Sequence, residues 1–315
     1  MQAVKNRINI GETIAGNPID IVTYTLAAPA KGKKLHIQSG MHGGEITYWI
    51  QHRLYKFLQE HLRAGEVVFI PCANPASWDQ RSYFYTFGKF DLYDGKDCNS
   101  HFPGKEEGSL HQRIAHALFT LSKTCDLGLD LHTARASRPY VIFTKEDYLP
   151  LVKDVGFKYN YMDDIVTPET AGSFDYAMDP AGIDNLCIEC GSHDEYDAEK
   201  VEEVFNGILR LLARLGMIDA ALAPPAPGDS YYFRDHKKIL TRAAGFVRYD
   251  TPLNTPFKKG DTLFTLHPSR ELGEEIPEIA TEDGVVYKRA PTHIYRLGDE
   301  TLHYIPADEL KKITV

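Results

Sequence analysis

The chain has 315 residues, of which 43% are hydrophobic and 11% aromatic, enough for a well-buried core and unlike a disordered protein. Its formal net charge of −9 argues against a nucleic acid or an anionic membrane as partner, because both favour a basic surface. No stretch resembles a signal peptide or reaches the roughly 20 apolar residues of a membrane span, so we expect a cytoplasmic protein. The sequence leaves open whether copies form a homo-oligomer.

Short apolar runs alternate with longer amphipathic stretches from residue 19 onward. The apolar runs predict strands over residues 19–26, 34–40, 66–74, 125–132, 140–144 and 185–191. Apolar residues at helical spacing predict helices over residues 46–65, 109–124 and 198–216. Alternating strands and helices predict an α/β fold with a mixed, largely parallel sheet between helices.

The five cysteines, at positions 72, 98, 125, 187 and 190, are expected to be free thiols. An odd number in a long chain without a signal peptide is not typical of a disulfide framework. Cys187 and Cys190 form a CxxC pair, but no second pair completes a structural zinc site, and the surrounding residues predict a strand.

Residues 75–105 mix glycine, aromatic and polar side chains without a clear period. A loop of that length inside a compact domain is usually functional. Farther along, LAPPAPGDS at 222–230 is typical of a proline-rich linker. We therefore predict a catalytic domain over residues 1–221 and a second domain over residues 231–315.

The second domain contains two similar strand-like phrases, KKGDTLFTL at 258–266 and RLGDETLHYI at 296–305. They indicate a small, internally duplicated all-β domain that resembles the barrel-sandwich hairpins of biotinyl and lipoyl carriers. Its apparent central turn, EDGVVYK, lacks the lysine between methionines that a biotinyl carrier uses. A packing or lid role is favoured over a carrier role.

The stretch SGMHGGEITYW places His42 and Glu45 three residues apart, with two glycines between them. If a helix begins at about Gly44, His42 lies on the loop that leaves a strand and Glu45 falls in the first helical turn. The glycines allow a tight turn in which imidazole and carboxylate converge, and both groups are zinc ligands. The pattern alone also fits a loop histidine beside a glutamate that caps a helix.

His132 closes a predicted strand and offers a third ligand. In open α/β sheets, ligands bind outside the carboxyl ends of strands, so His42 and His132 occupy equivalent places. Asp130 points the same way as His132 on the strand and either orients a ligand or caps a turn. Glu189 closes another strand and suits the general base that activates a metal-bound water, although a salt-bridged glutamate would also fit there.

Five motifs follow one another between residues 36 and 191: SGMHGGE, ANP, DGKDCNSHFPG, DLHT and IECG. Together they resemble the zinc carboxypeptidase superfamily and, within it, the succinylglutamate desuccinylase/aspartoacylase branch. The resemblance implies a zinc-carboxypeptidase-like α/β domain, and a C-terminal β-domain is also a feature of that branch.

The resemblance implies one zinc ion with three protein ligands and an open fourth position for water. The three ligands are His42, Glu45 and His132. Glu189 matches the base that takes a proton from that water and passes it to the leaving amine. Asp97 matches the aspartate that supports the first zinc histidine, and Arg81 is the best match to the arginine that polarises the scissile carbonyl.

The chain departs from the family pattern DLNRxFPG, because it reads DCNSHFPG. Asn99 is kept, but Ser100 stands where an arginine would bind a substrate carboxylate, and serine cannot supply that charged, bidentate contact. Either the substrate lacks this carboxylate, which we prefer, or Arg135 or Arg138 takes over its binding. These four residues are the candidate substrate contacts.

The sequence thus predicts a zinc-dependent hydrolase that cleaves an amide bond, or an ester bond, of a small N-acyl amino acid-like molecule. Two alternatives stay open. One is a metallo-carboxypeptidase or amidase that acts on short peptides. The other is a metal or metabolite binder that has lost turnover through Ser100, which the retention of all three ligands and Glu189 opposes.

Overall fold

A large mixed sheet with helices on both faces forms the first two thirds of the protein. The computed structural model describes residues 1–82, 85–168 and 170–314. Its strands up to residue 192 are β1 (Val4–Glu12), β2 (Pro18–Ala27), β3 (Ala30–Ser39), β4 (Ala64–Ile70), β5 (Arg81–Ser82), β6 (Tyr85–Thr86), β7 (Leu127–Ala134), β8 (Ala136–Ser137), β9 (Tyr140–Phe143), β10 (Tyr159–Met162) and β11 (Asp184–Ser192). Its helices are α1 (Tyr48–His61), α2 (Pro75–Trp78), α3 (Leu110–Ser122), α4 (Leu149–Val155), α5 (Phe174–Met178) and α6 (Ala198–Arg214).

The remaining strands follow in the last third of the chain. They are β12 (Tyr231–Phe233), β13 (Lys237–Leu240), β14 (Gly245–Tyr249), β15 (Thr255–Phe257), β16 (Thr262–Pro268), β17 (Ile276–Ile279), β18 (Gly284–Arg289), β19 (Ile294–Tyr295), β20 (Glu300–Pro306) and β21 (Lys311–Lys312). No helix among the described residues is both long enough and apolar enough to span a membrane.

The large sheet has the strand order β1-β2-β4-β3-β7-β11-β9-β10-β12-β21. Its centre, β4-β3-β7-β11, is parallel. Antiparallel pairs join β1 to β2, β2 to β4, β11 to β9 and β12 to β21. Central parallel strands are covered on both faces and therefore need nearly continuous apolar sequences, which is why they could be predicted. The predicted α/β fold with a mixed, largely parallel sheet is confirmed.

Two apolar layers cover the sheet. Leu54 and Leu58 of α1 pack with Val204 and Ile208 of α6 in the larger core cluster. In the second core cluster, apolar residues of α3 and α5 pack with apolar side chains of β1 and β2. Asp197 caps the start of α6, because its side chain accepts hydrogen bonds from two backbone amides of the first turn. All five cysteines are free thiols, as predicted.

The stretch over residues 75–105 is loop-rich, as predicted. Among its described residues, the regular elements are α2, β5 and β6, and all three are short. Residues 83 and 84 of this stretch lie outside the described residues.

Strands β13 to β20 form two small antiparallel sheets, β13-β20-β18-β15 and β17-β16-β14-β19. The two similar phrases of the sequence form β16 and β20, one in each sheet. The ends of this region rejoin the first: β12 pairs with β10, and β21 pairs with β12, so both strands extend the large sheet. In addition, β8 pairs with β18. Main-chain hydrogen bonds therefore join strands that precede the proline-rich segment, β8 and β10, to strands that follow it, β18 and β12.

His36 is fully buried on β3, where its Nδ1 lies 3.1 Å from Ser122 Oγ and its Nε2 lies 2.8 Å from Gln38 Oε1. Burial lowers the pKa of His36 to about 4, against a hydrogen bond to Gln38 that raises it. The unfolded chain therefore binds the proton first as the pH falls. The stabilising effect of a neutral His36 is complete above its ordinary pKa of 6.5 and is lost as the pH falls toward 4.

Lowering the pH from 7.5 to 4 should reduce the free energy of unfolding of both the wild type and His36→Gln. We expect the reduction to be about 3 kcal/mol larger for the wild type. Urea unfolding of both proteins, with a chelator present, measures this difference. His52→Gln, at an exposed position, is the matched control and should follow the wild type. Parallel pH profiles for wild type and His36→Gln would contradict the assignment.

Candidate active site

The carboxyl ends of β3, β7 and β11 lie side by side in the large sheet. In the parallel register, Ser39 pairs with Leu131 and His132 pairs with Glu189. The loop after β3 carries His42, whereas His132 and Glu189 lie near the ends of β7 and β11. The three strand ends singled out in the sequence are therefore neighbours.

The loop between β3 and α1 requires the two glycines that separate His42 from Glu45. A Cβ atom on Gly43 would lie 1.9 Å from the carbonyl oxygen of Phe87, and Gly44 has a φ of +81°. The predicted helix start at about Gly44 is wrong, because that φ excludes a helix and α1 begins only after Thr47. Glu45 instead turns back within the loop, and its Oε2 accepts a hydrogen bond from the backbone N–H three residues earlier at 3.0 Å.

Two imidazoles and one carboxylate meet at a single buried point. Glu45 Oε1 lies 2.8 Å from Nδ1 of His42 and 2.8 Å from Nδ1 of His132. Each of these three side chains offers one ligand atom, and all these atoms lie within 4.8 Å of one another. Two imidazole nitrogens and one carboxylate oxygen are a donor set that suits a catalytic zinc ion. The cluster is therefore able to hold a metal ion.

The second nitrogen of each imidazole faces a further carboxylate. His42 Nε2 lies 2.9 Å from Asp97 Oδ1, and His132 Nε2 lies 2.8 Å from Asp130 Oδ2. Such contacts fix the orientation of a ring, so that its other nitrogen is directed to the metal position. Of the two roles left open for Asp130, the geometry favours the orienting role, and the side chain that it orients is His132.

Lys89 completes this network, and no pattern in the sequence indicates its role. Its Nζ lies 2.7 Å from Asp97 Oδ2, on the side opposite the contact to His42. Burial raises the pKa of Asp97, but the hydrogen bond to His42 and the charge of Lys89 outweigh burial and bring that pKa well below its ordinary value. Asp97 is therefore a carboxylate at every physiological pH.

The cluster is electrostatically prepared for a cation. Burial raises the pKa of Glu45, but the charges of His132 and His42 outweigh it and bring the pKa well below its ordinary value. Burial lowers the pKa of His132, whereas the charges of Asp130 and Glu45 raise it by more, so the net change is upward. In both cases the attraction between imidazole and carboxylate charges outweighs burial, and a bound dication would take the place of protons between the same atoms.

Asp130→Asn should weaken zinc binding by about 10- to 100-fold, because the amide keeps the size of the carboxylate but not its charge. Chelator-competition titrations at pH 7.5 measure the dissociation constant. Asp126→Asn, which removes an exposed acid just before the same strand, is the control and should leave the constant unchanged. An unaltered affinity in Asp130→Asn would show that the contact to His132 does not support the metal ligand.

Glu189 stands next to His132 in the neighbouring strand and is partly exposed. Its Oε2 atom is buried and has no hydrogen-bond partner among the described residues. Burial raises the pKa of Glu189, while the charge of His132 opposes that shift. A carboxylate with an unpartnered oxygen and a raised pKa is a better proton acceptor than an ordinary glutamate.

The other predicted residues lie at different distances from the cluster. Asn99 Nδ2 lies 3.4 Å from His132 Nε2, and Ser100 follows it in a turn that packs against Gly172. Arg81 is exposed in β5 and pairs with Thr86 of β6. This ribbon leads into the segment whose Gly88 carbonyl accepts a hydrogen bond from the Gly43 amide at 3.2 Å.

Arg135 and Arg138 are both engaged by acids of the chain itself. Arg135 Nη2 lies 2.5 Å from Glu300 Oε2. Arg138 Nη2 lies 2.5 Å from Glu203 Oε2 of α6, with a second, longer contact to Glu199. Neither guanidinium group offers an unpaired charge to a substrate in this structure.

A buried Cys–His–Asp contact chain secures the loop that carries Asp97 and Asn99. Cys98 Sγ lies 3.3 Å from His111 Nε2, and His111 Nδ1 lies 2.6 Å from Asp91 Oδ2. Cys98 and His111 are buried, and the contacts of this trio hold the loop in place. Helical spacing placed His111 on α3 but could not show what it contacts.

Comparison with known proteins identifies the family. The sequence profile of the succinylglutamate desuccinylase/aspartoacylase catalytic domain matches residues 31–215, which include the His–Glu–His cluster and Glu189. The chain belongs to the succinylglutamate desuccinylase/aspartoacylase family. The resemblance inferred from the sequence motifs is thereby confirmed.

Similar proteins differ in sequence from this member of the succinylglutamate desuccinylase/aspartoacylase family, but the solved structures among them share its fold. The N-alpha-acetyl-L-2,4-diaminobutyric acid deacetylase of Halomonas elongata is 24% identical over 299 residues, which cover 89% of this chain and 84% of that protein. A family protein from Shewanella amazonensis superposes with a TM-score of 0.88 at 21% identity, covering 98% of this chain and 100% of the other. The product-bound ectoine utilization protein of Ruegeria pomeroyi gives a TM-score of 0.78 at 17% identity, covering 96% and 94%.

Proposed function

We propose that this protein is a zinc-dependent deacylase that hydrolyses the amide bond of a small N-acyl amino acid. The observation that carries the proposal is the convergence of His42, Glu45 and His132 beside Glu189. Family membership supports deacylation as the reaction, and the diaminobutyrate deacetylase from Halomonas elongata supports an N-acetyl amino acid as the substrate class. An ester of the same shape would be attacked in the same way.

In the proposed reaction, His42, Glu45 and His132 hold the zinc ion. When bound, zinc supplies a Lewis acid that polarises the acyl carbonyl and increases the acidity of a water molecule. Glu189 accepts the proton of the attacking water on a carboxylate oxygen and then delivers it to the leaving amine. The unpartnered Oε2 and the raised pKa of Glu189 support this role.

Asp97 and Asp130 act on the reaction through the histidines that they orient. Arg81 is proposed to stabilise the negative charge that develops on the acyl oxygen, since a guanidinium group is a cation with several N–H donors. Asn99 is proposed as a polar contact to the substrate next to His132, with Ser100 following it in the same turn. The two ion-paired arginines, Arg135 and Arg138, are not assigned a catalytic role.

The test is a substrate panel with zinc-loaded protein. It contains N-acetyl-L-2,4-diaminobutyrate, N-acetyl-L-aspartate, N-succinyl-L-glutamate and N-acetyl-L-alanine, together with a dipeptide and the methyl ester of N-acetyl-L-alanine. Release of free amine is expected from at least one N-acyl amino acid, and chelation should abolish it. Turnover of the dipeptide alone would instead favour a carboxypeptidase, and zinc binding without any turnover would favour a metal or metabolite binder.

A further inference from the structure

A β-bulge in β18 brings two adjacent side chains to the same side of the strand. The register of β18 against β20 shifts between Val286 and Lys288, which leaves Tyr287 as the extra residue. Lys288 Nζ lies 5.2 Å from the centre of the Tyr287 ring. Bulges of this kind re-aim side chains and are common beside active sites.

These two side chains lie where the β-sheets of the last third meet the catalytic region. Lys288 pairs with Ser137 of β8, the strand that directly follows β7. The Tyr287 ring packs edge-to-face against Tyr140, with ring centres 5.9 Å apart. Tyr140 in turn pairs with Glu189 across β9 and β11. The bulge is therefore linked to the proposed base through one aromatic residue.

The ammonium group of Lys288 has no ion-pair partner among the described residues. None of the carboxylates in the described residues lies within 4.0 Å of its Nζ, whereas the neighbouring Arg135 and Lys238 both pair with Glu300. Burial lowers the pKa of Lys288 to about 8, and the charge of Glu189 opposes that shift. Lys288 is thus mostly protonated at neutral pH.

Several polar atoms around Lys288 are buried and have no hydrogen-bond partner among the described residues. They are Ser137 Oγ, the Tyr287 hydroxyl, and Nδ1 of His236 and of His303. Ser137, Tyr287 and His303 have exposed fractions of 0%, 3% and 2%. Ser137 and His303 both pair with Lys288 across the sheet, so their side chains share one face with it. Buried polar groups without partners are costly, and a ligand that satisfies them is stabilised accordingly.

The two histidines do not add charge to this group. Burial and the positive charge of Lys288 lower the pKa of His236 to about 4 and that of His303 to about 3. Both are neutral at pH 7 and serve as hydrogen-bonding groups. Ser137, His236, Tyr287, Lys288 and His303, here called the Lys288 cluster, therefore contribute one positive charge and four uncharged polar side chains. The carboxylate of Glu300, already paired with Arg135 and Lys238, lies 3.2 Å from His303 Nε2.

We propose that the Lys288 cluster binds a carboxylate of the substrate and replaces the arginine that Ser100 has displaced. The inference rests on the proposed function, since it assigns a binding site to the carboxylate of the N-acyl amino acid whose amide bond is hydrolysed beside Glu189. Lys288 supplies the charge, and the hydroxyls of Ser137 and Tyr287 donate hydrogen bonds to the carboxylate oxygens. One positive charge in a buried polar site fits one carboxylate and disfavours the corresponding neutral amide. The substrate therefore keeps the carboxylate that the loss of arginine had suggested it lacks.

The experiment compares carboxylates with matching carboxamides, in turnover and in binding. Turnover uses each N-acyl amino acid of the panel and its α-carboxamide. Binding uses the N-methylsulfonyl derivative of the same amino acids and its α-carboxamide, which the enzyme cannot hydrolyse, measured by calorimetry on the zinc-loaded protein. The wild type is expected to prefer the carboxylate in both measurements, and Lys288→Met is expected to reduce that preference by about 30-fold.

Two further variants separate charge from fold. Lys288→Arg should keep most of the preference, because the positive charge remains. Lys238→Met is the matched control: it removes a lysine from the same cross-strand row, but one that is exposed and paired with Glu300, and its preference should equal that of the wild type. Should Lys288→Met fail to fold, Lys288→Arg and the wild-type preference still decide the question.

Outcomes that overturn the inference differ from those that overturn the proposed function. A wild type that binds carboxylate and carboxamide equally, or a Lys288→Met variant with an unchanged preference, refutes the role of the Lys288 cluster even if deacylation is observed. Conversely, a wild type without any amide hydrolysis refutes the proposed function. In that case the Lys288 cluster would still be supported as an anion site if calorimetry showed that the wild type prefers the carboxylate and that Lys288→Met does not.

Discussion

Glu189→Gln is expected to retain zinc and to lose turnover by about a thousandfold, within the range of 10²–10⁴ that general base catalysis contributes. Glutamine has nearly the same shape and preserves the packing of β11, but it cannot accept a proton from water. The measurement pairs kcat on the best substrate of the panel with the zinc content of the purified protein. The decrease should appear in kcat rather than in KM, because Glu189 acts on the reacting atoms.

Glu195→Gln is the control for this substitution. Glu195 lies six residues further along the chain, is exposed, and contacts Lys200 at 3.9 Å. Its replacement should leave kcat and zinc content unchanged. If Glu189→Gln turned over substrate as fast as the wild type, Glu189 would not be the base, and the buried Oε2 would need another explanation.

His132→Ala is expected to remove one of the three donors and to weaken zinc binding by roughly a thousandfold. That loss corresponds to only part of the binding free energy of a structured zinc site. Purified protein should contain well under one zinc ion per chain, and turnover should fall to background. Chelator competition measures the affinity, and elemental analysis measures the content. Added zinc at millimolar concentration should restore part of the turnover, since Glu189 and the other two donors remain.

The control for His132→Ala is His52→Ala, at an exposed position on α1. It should bind zinc as the wild type does. Urea unfolding of the His132→Ala protein should show a folded state, because the buried ring leaves a small cavity at the sheet end and not in the central apolar layers. A His132→Ala protein with full zinc content would mean that the ion binds elsewhere and that the His–Glu–His cluster is not the metal centre.

The sequence was informative where one physical requirement determined the residue type. Strands β3, β7 and β11 are covered on both faces, so their apolar runs reveal them, and the residues that close them reveal the functional edge of the sheet. The tight loop between β3 and α1 also left a visible trace, because only glycine fits at Gly43 and Gly44. The start of α1 was misplaced since sequence periodicity does not report the positive φ of Gly44.

The side chains that the sequence did not reveal depend on contacts between distant segments. Lys89 meets Asp97 through an aperiodic loop, and Lys288 lies over the Tyr287 ring because a bulge in β18 brings both side chains to one side of the strand. No local pattern encodes either contact. Arg135 and Arg138 show the converse, because their position after His132 suggested a substrate contact, whereas Glu300 and Glu203 occupy their guanidinium groups.

The pairing of β12 and β21 with the large sheet has a consequence for dissecting this protein. Without residues 231–315, β10 would become an unprotected edge with free amide and carbonyl groups and with Tyr159 and Tyr161 beside them. Such an edge is a template for association with other chains. A truncated catalytic fragment is therefore expected to aggregate, and a protease cut within the proline-rich segment should leave two pieces that stay together until denatured.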